Sequence, residues 1–143
     1  MIRGRPDYRL VEHTADVGLL VRAPDQPRLF EASAAALFDV MVDISRVEPE
    51  PEALEVSVNA PDRETLLVAW LSELLSAAMA RGCVLGAFEI QHLEAGRALG
   101  RAWGESLDPD RHGFKTEIKA VTYHGLDVRR VGKLWQARLI LDL

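Results

Sequence analysis

Apolar residues recur at steps of three and four along the first third of the chain, where Phe30, Ala34, Leu37, Phe38 and Met41 share one face. That period belongs to an amphipathic helix, and the spacing predicts one from about Pro27 to Val42. Pro27 suits the first turn, where its missing N–H costs nothing; Asp25 or Gln26 is available as the cap, and Glu31 is favourable near the positive end of the dipole. A second helical run follows Pro61-Asp62, with Leu66, Leu67, Trp70, Leu71, Leu74, Leu75, Ala78 and Met79 on its apolar side. Asp62 can cap its start, and Gly82 can close it.

Elsewhere the period changes to two. Val56 and Val58 alternate with Ser57 and Asn59; Trp135, Ala137, Leu139 and Leu141 alternate with Gln136, Arg138, Ile140 and Asp142, as in strands with one buried face. Further strands are expected over 8–13, 17–23, 84–93, 99–105, 116–123 and 126–130, with turns at Gly96, Gly113, Gly125 and Gly132. In the run from Glu117 to His124, alternation puts Glu117, Lys119, Val121 and Tyr123 on one face and Ile118, Ala120, Thr122 and His124 on the other. The order of elements predicts a single α+β domain over residues 1–143, with two long helices packed on a largely antiparallel or mixed sheet. Residues 1–6 are expected to form a flexible tail, and Glu48-Pro49-Glu50-Pro51-Glu52 an acidic, proline-stiffened loop.

Composition narrows the classes of function. With 48% hydrophobic and 27% charged residues among 143, the chain has the balance of an ordinary globular domain. No apolar run reaches the roughly 20 residues of a membrane span, and the amino terminus lacks the apolar core of a secretory signal, so the expectation is a cytoplasmic protein without membrane attachment. The single cysteine, Cys83, excludes an internal disulfide and a cysteine-rich zinc site. A net charge of −5 argues against gripping phosphate backbones over a broad surface, so no stable direct nucleic-acid binding is expected.

Candidate chemistry centres on His13-Thr14-Ala15-Asp16-Val17-Gly18, a polar interruption between two strand-like runs. Thr14 and Asp16 could simply stabilise a turn through backbone N–H groups; they could equally contribute oxygens to a cation site, for which one aspartate is too few. Asp142 and the carbonyl or carboxylate of Leu143 supply more, provided that the first and last strands are neighbours. Otherwise Asp142 is a solvated residue at a frayed end. A second polar cluster, Glu105, Asp108, Asp110, Arg111 and His112, precedes the Glu117–His124 run. The four histidines are scattered and form no H-E-x-x-H pair, and neither a G-x-S-x-G elbow nor a P-loop is present. Trp70, Trp103 and Trp135 read as core or boundary residues.

Taken together, His13-Thr14-Ala15-Asp16-Val17-Gly18, Glu117-Ile118-Lys119-Ala120-Val121-Thr122-Tyr123-His124 and Asp142 resemble the motifs of the archease family, in order and wording. The resemblance implies a helper protein, not itself an enzyme, for the GTP-dependent RNA ligase that joins tRNA halves in splicing and serves RNA repair. It would promote guanylylation of the ligase and its repeated turnover. It also implies a divalent metal site on Asp16 and Asp142, with Leu143 as a further oxygen donor. Calcium is the expected occupant in a crystal, with magnesium or manganese as alternatives. Glu12, His13, Glu105, Lys119 and His124 are expected to contact the partner or support the site. The competing classes are an independent metal-dependent phosphoesterase and a general chaperone or RNA-binding module.

Overall fold

Twelve consecutive residues of the first helix, from Leu29 to Val40, are buried. A helix buried on every side must be covered by more than one layer, and this requirement shapes the molecule. The computed structural model describes residues 2–12 and 16–143; the His13-Thr14-Ala15 part of the first motif lies outside them. The elements are β1 (Ile2–Arg3), β2 (Tyr8–Glu12), β3 (Asp16–Ala23), α1 (Gln26–Met41), β4 (Leu54–Asn59), α2 (Arg63–Arg81), β5 (Cys83–Glu94), β6 (Arg97–Ser106), α3 (Pro109–His112), β7 (Ala120–Val131) and β8 (Leu134–Asp142).

The strands form two four-stranded antiparallel sheets, ordered β1-β5-β6-β4 and β2-β3-β8-β7. Helix α1 touches β5 and β1 of one sheet and β3 and β8 of the other, and α2 likewise reaches β4, β5 and β6 on one side and β7 on the other. The α+β class is as expected, but two sheets enclose the helices where one was foreseen. The physical reason is the apolar belt around α1, which a single sheet would leave half exposed.

Local chemistry sets the helix ends. The Asp25 carboxylate accepts the Arg28 N–H at 2.9 Å. Asp62 accepts the Thr65 N–H and its hydroxyl, each at 2.8 Å, and Gly82 closes α2 at φ 61°. Between the layers Trp70 is fully buried and donates its indole N–H to the Phe30 carbonyl at 3.1 Å. Gly100 makes room for it, because a Cβ there would stand 2.6 Å from the indole and 2.7 Å from the Glu89 carbonyl oxygen.

Three readings of the sequence need adjustment. Ile2 and Arg3, placed in a tail, pair with Phe88 and Ala87 at the edge of β5. The strand expected over 116–123 begins only at Ala120, so the alternation of Glu117 and Lys119 with Ile118 belongs to an approach segment. It then runs through Gly125 to Val131 as one interrupted strand, not two. Finally, Gly113 closes the one-turn helix α3, which no periodicity announces in four residues.

Candidate functional site

Strands β3 and β8 lie side by side, and their register sets Asp16 directly opposite Asp142. Ala120 of β7 pairs with Asp142 from the other side, and the Lys119 N–H donates to the Asp142 carbonyl at 2.8 Å. The strand end is therefore held on both flanks, which excludes the frayed-terminus reading of Asp142. Residues directly opposite in an antiparallel pair project to the same face with Cα atoms about 4.5–5.5 Å apart. Leu19, Leu139 and Leu141 point into the core from the intervening positions, so Asp16 and Asp142 share the outer face, half-buried and turned away from the helices. Two like charges on one rung repel unless something positive joins them.

The other sequence candidates divide by position. Lys119 and Leu143 adjoin Asp142, and Leu143 also packs against the core. Glu12 ends β2 with its backbone paired to Val17, beside Asp16; His13 lies outside the described residues. His124 is exposed on the interruption of β7, where Thr122 pairs with Ile140 but the next paired residue is Asp127, opposite Arg138. Four residues of β7 thus face one of β8. The resulting bulge folds over the outer face, with Gly125 at φ 64° against the Ile140 side chain. Thr122 fastens it, its hydroxyl donating to the Ile140 carbonyl at 3.1 Å and accepting the His124 N–H at 3.3 Å.

Glu105 is not brought to the aspartate pair. It ends β6 in the opposite sheet, where its carboxylate takes two donors from Arg111, the Glu48 N–H at 2.6 Å and the fully buried His112 ring at 2.9 Å. His112 Nδ1 accepts the Asp108 N–H at 3.0 Å, which assigns the ring proton to Nε2 and makes it the donor to Glu105. These bonds, led by that from Arg111, hold the Glu105 carboxyl down at about 2. Its role is to fasten α3 and the Glu48 loop to β6.

A further network escaped the sequence reading. Asp39, fully buried in α1, accepts the Tyr8 hydroxyl at 2.8 Å and the Ile44 N–H at 3.1 Å, while Arg5 stands 3.6 Å away and Lys115 donates to the Asp39 carbonyl at 2.9 Å. Burial, followed by the bond to Asp39, pushes the Tyr8 hydroxyl above its ordinary range. The available signal was an aspartate inside the apolar run Ala36-Leu37-Phe38-Asp39-Val40. The network pins β2 and the segment before Ile118 to the end of α1.

The two carboxylates suit a hard divalent cation, which takes oxygen ligands. Among the described residues no group of three or more acidic, histidine or cysteine side chains could hold a metal. Carbonyl oxygens, water or a partner's phosphate would therefore have to complete the coordination. A cleft of about 580 Å³ lies at the far end of the same sheet, between the starts of α1 and α2 and against Trp135. Three of its polar side chains are already engaged: Asp25 and Asp62 cap the helices, and Arg63 stacks over the Trp135 ring at 4.6 Å.

Two antiparallel sheets enclosing a helix pair, with an acidic rung where β3 meets β8, define a small α+β domain with a candidate surface site at a strand end. Residues 8–143 match the Archease protein family (MTH1598/TM1083), and the chain belongs to that family. A protein archease of Methanopyrus kandleri is 40% identical over 136 residues, covering 93% of this chain and 96% of that protein. One from Pyrococcus abyssi is 42% identical over 137 residues, covering 92% and 95%. The solution structure of Methanobacterium thermoautotrophicum protein 1598 matches with a TM-score of 0.76 at 34% identity, covering 95% of this chain and 98% of that one. A Thermotoga maritima structure, described as an archease and possible chaperone, shares the fold at a TM-score of 0.64 and 18% identity, covering 94% and 96%.

Proposed function

We propose that this protein is a metal-binding activator of the GTP-dependent RNA ligase, acting in the cytoplasm in tRNA splicing and RNA repair and not itself an enzyme. The observation that carries the reading is the in-register Asp16–Asp142 rung on the outer sheet face. Support also comes from family membership and from Lys119 and Ala120 of the second motif, which adjoin that rung. Asp16 and Asp142 would hold a divalent cation, with oxygens of Leu143 completing the protein's share. Calcium, magnesium and manganese all suit such oxygens.

When bound, the cation supplies positive charge that attracts and orients phosphate oxygens during nucleotidyl transfer. The chain's own residues position it. The β3–β8 register sets the carboxylate spacing, and the Lys119 N–H holds the strand end through the Asp142 carbonyl. Exposed Lys119 and His124 stand beside this edge as contacts for the ligase.

A ligation time course under limiting ligase tests the proposal. Added protein should convert a single round of joining into repeated rounds, and Asp16→Ala or Asp142→Ala should lose that stimulation. Normal stimulation by both variants would refute it. Hydrolysis of a generic phosphodiester without ligase would instead favour a phosphoesterase, and ligase-independent suppression of aggregation a general chaperone.

A further inference from the structure

The outer face of the β2-β3-β8-β7 sheet, which no helix among the described residues covers, carries more than the aspartate rung. Moving along the strands from Asp16–Asp142, the next outward rung is Gly18, Ile140 and Thr122, roofed by the β7 bulge. Beyond it come Arg9, Leu20, Arg138 and Asp127 on one rung, and Arg22, Gln136 and Arg129 on the next. All four arginines are exposed. Arg129 is paired with Asp127, and Arg22 donates to the Gln136 side chain at 2.9 Å. Arg9 and Arg138 have no acidic partner among the described residues. These two rungs carry four arginines against Asp127, with Asp7 lining a shallow hollow beside Arg9 and Arg22, a local excess of positive charge in a chain of net charge −5.

Its spacing is regular. Arg22 and Arg138 are diagonal neighbours on adjacent strands, about 7–8 Å apart and somewhat less between Cβ atoms. Arg9 lies two strand spacings from Arg138, about 10 Å. At the margin of these rungs the bulge exposes Tyr123, at 65% the most exposed large apolar side chain described, with His124 beside it. The bulge cannot sink into the sheet, because Gly125 already rests on Ile140.

We propose that this face binds a short single-stranded nucleic acid, with phosphates on Arg9, Arg138 and Arg22 and one base stacked on Tyr123. Arginine presents a planar fork that matches phosphate oxygens in pairs. An exposed ring beside a cationic track is how sequence-tolerant strand binding is built. An acidic protein would match the charge but would leave the tyrosine ring unexplained. Two or three phosphate contacts make a weak, salt-sensitive site, which is compatible with the chain's overall negative charge.

The test is fluorescence anisotropy of a labelled, unstructured oligoribonucleotide, titrated in EDTA without ligase, so that the result is separate from the metal and ligase reading. Binding is expected at low salt. The Arg9→Ala/Arg138→Ala double variant should bind at least tenfold more weakly, with the salt slope reduced by about 1.4, or about 0.7 per lost phosphate. Tyr123→Ala should weaken binding by about fivefold or more with the slope unchanged. Arg9→Lys/Arg138→Lys, which keeps the charge, should fall between wild type and the alanine pair. No binding at low salt, wild-type affinity in the alanine pair, or equal displacement by a polyglutamate peptide of the same charge would each overturn the proposal.

Discussion

Asp16 and Asp142 are directly opposed like charges, and such a pair is destabilising by up to about 1 kcal/mol when nothing neutralises it. In EDTA, Asp16→Asn and Asp142→Asn should therefore leave the urea midpoint unchanged or raise it; a loss of more than about 1 kcal/mol would mean that the carboxylates serve the fold. Glu105 behaves in the opposite way. Its carboxyl, held at about 2 against an ordinary 4.5, contributes stability that is fully present above 4.5 and lost as pH falls through 2, because the unfolded chain takes up the proton first. Acid unfolding followed by circular dichroism should show this loss between about pH 4.5 and 2, and Glu105→Gln should flatten that part of the curve. Neither role was legible from residue type alone. Asp142 could be singled out through its motif, but its partner depended on strand order; Glu105 looked like a site residue until Arg111 and His112 closed on it.

Elements whose apolar period is long were readable: α1 and α2 end within a few residues of where the spacing and their caps, Asp25, Asp62 and Gly82, place them. The interruption of β7 was not, because a strand that bulges and one that turns both show glycine between alternating runs. The structure distinguishes them through register, with Thr122 opposite Ile140 and Asp127 opposite Arg138. Gly125 is the residue on which the bulge depends. A Cβ there meets the Ile140 side chain at 3.1 Å on a backbone at φ 64°, so Gly125→Ala should cost about 1 kcal/mol or more. Amide exchange should quicken first at 123–126, whereas uniform loss of protection across β8 would show that the bulge is not an independent feature.

At the scale of the whole molecule, the helices separate two kinds of work. One sheet, with Glu105, His112 and the Glu48 loop, closes the structure; the other turns one face away from the helices and brings Asp16, Lys119 and Asp142 of the motifs together at one end. The fold class was legible because the order of helical and strand-like segments allows few packings. The second sheet was not, since nothing in strand periodicity says which strands share a ladder. The account rests on the rung where the first motif meets the end of β8, and calorimetric titration of the apoprotein with manganese or calcium tests it most directly. Wild type should bind one ion, and Asp16→Asn and Asp142→Asn should each abolish that heat while keeping the native circular dichroism spectrum. One-to-one binding of undiminished affinity in both variants, or no binding by folded wild type, would contradict it.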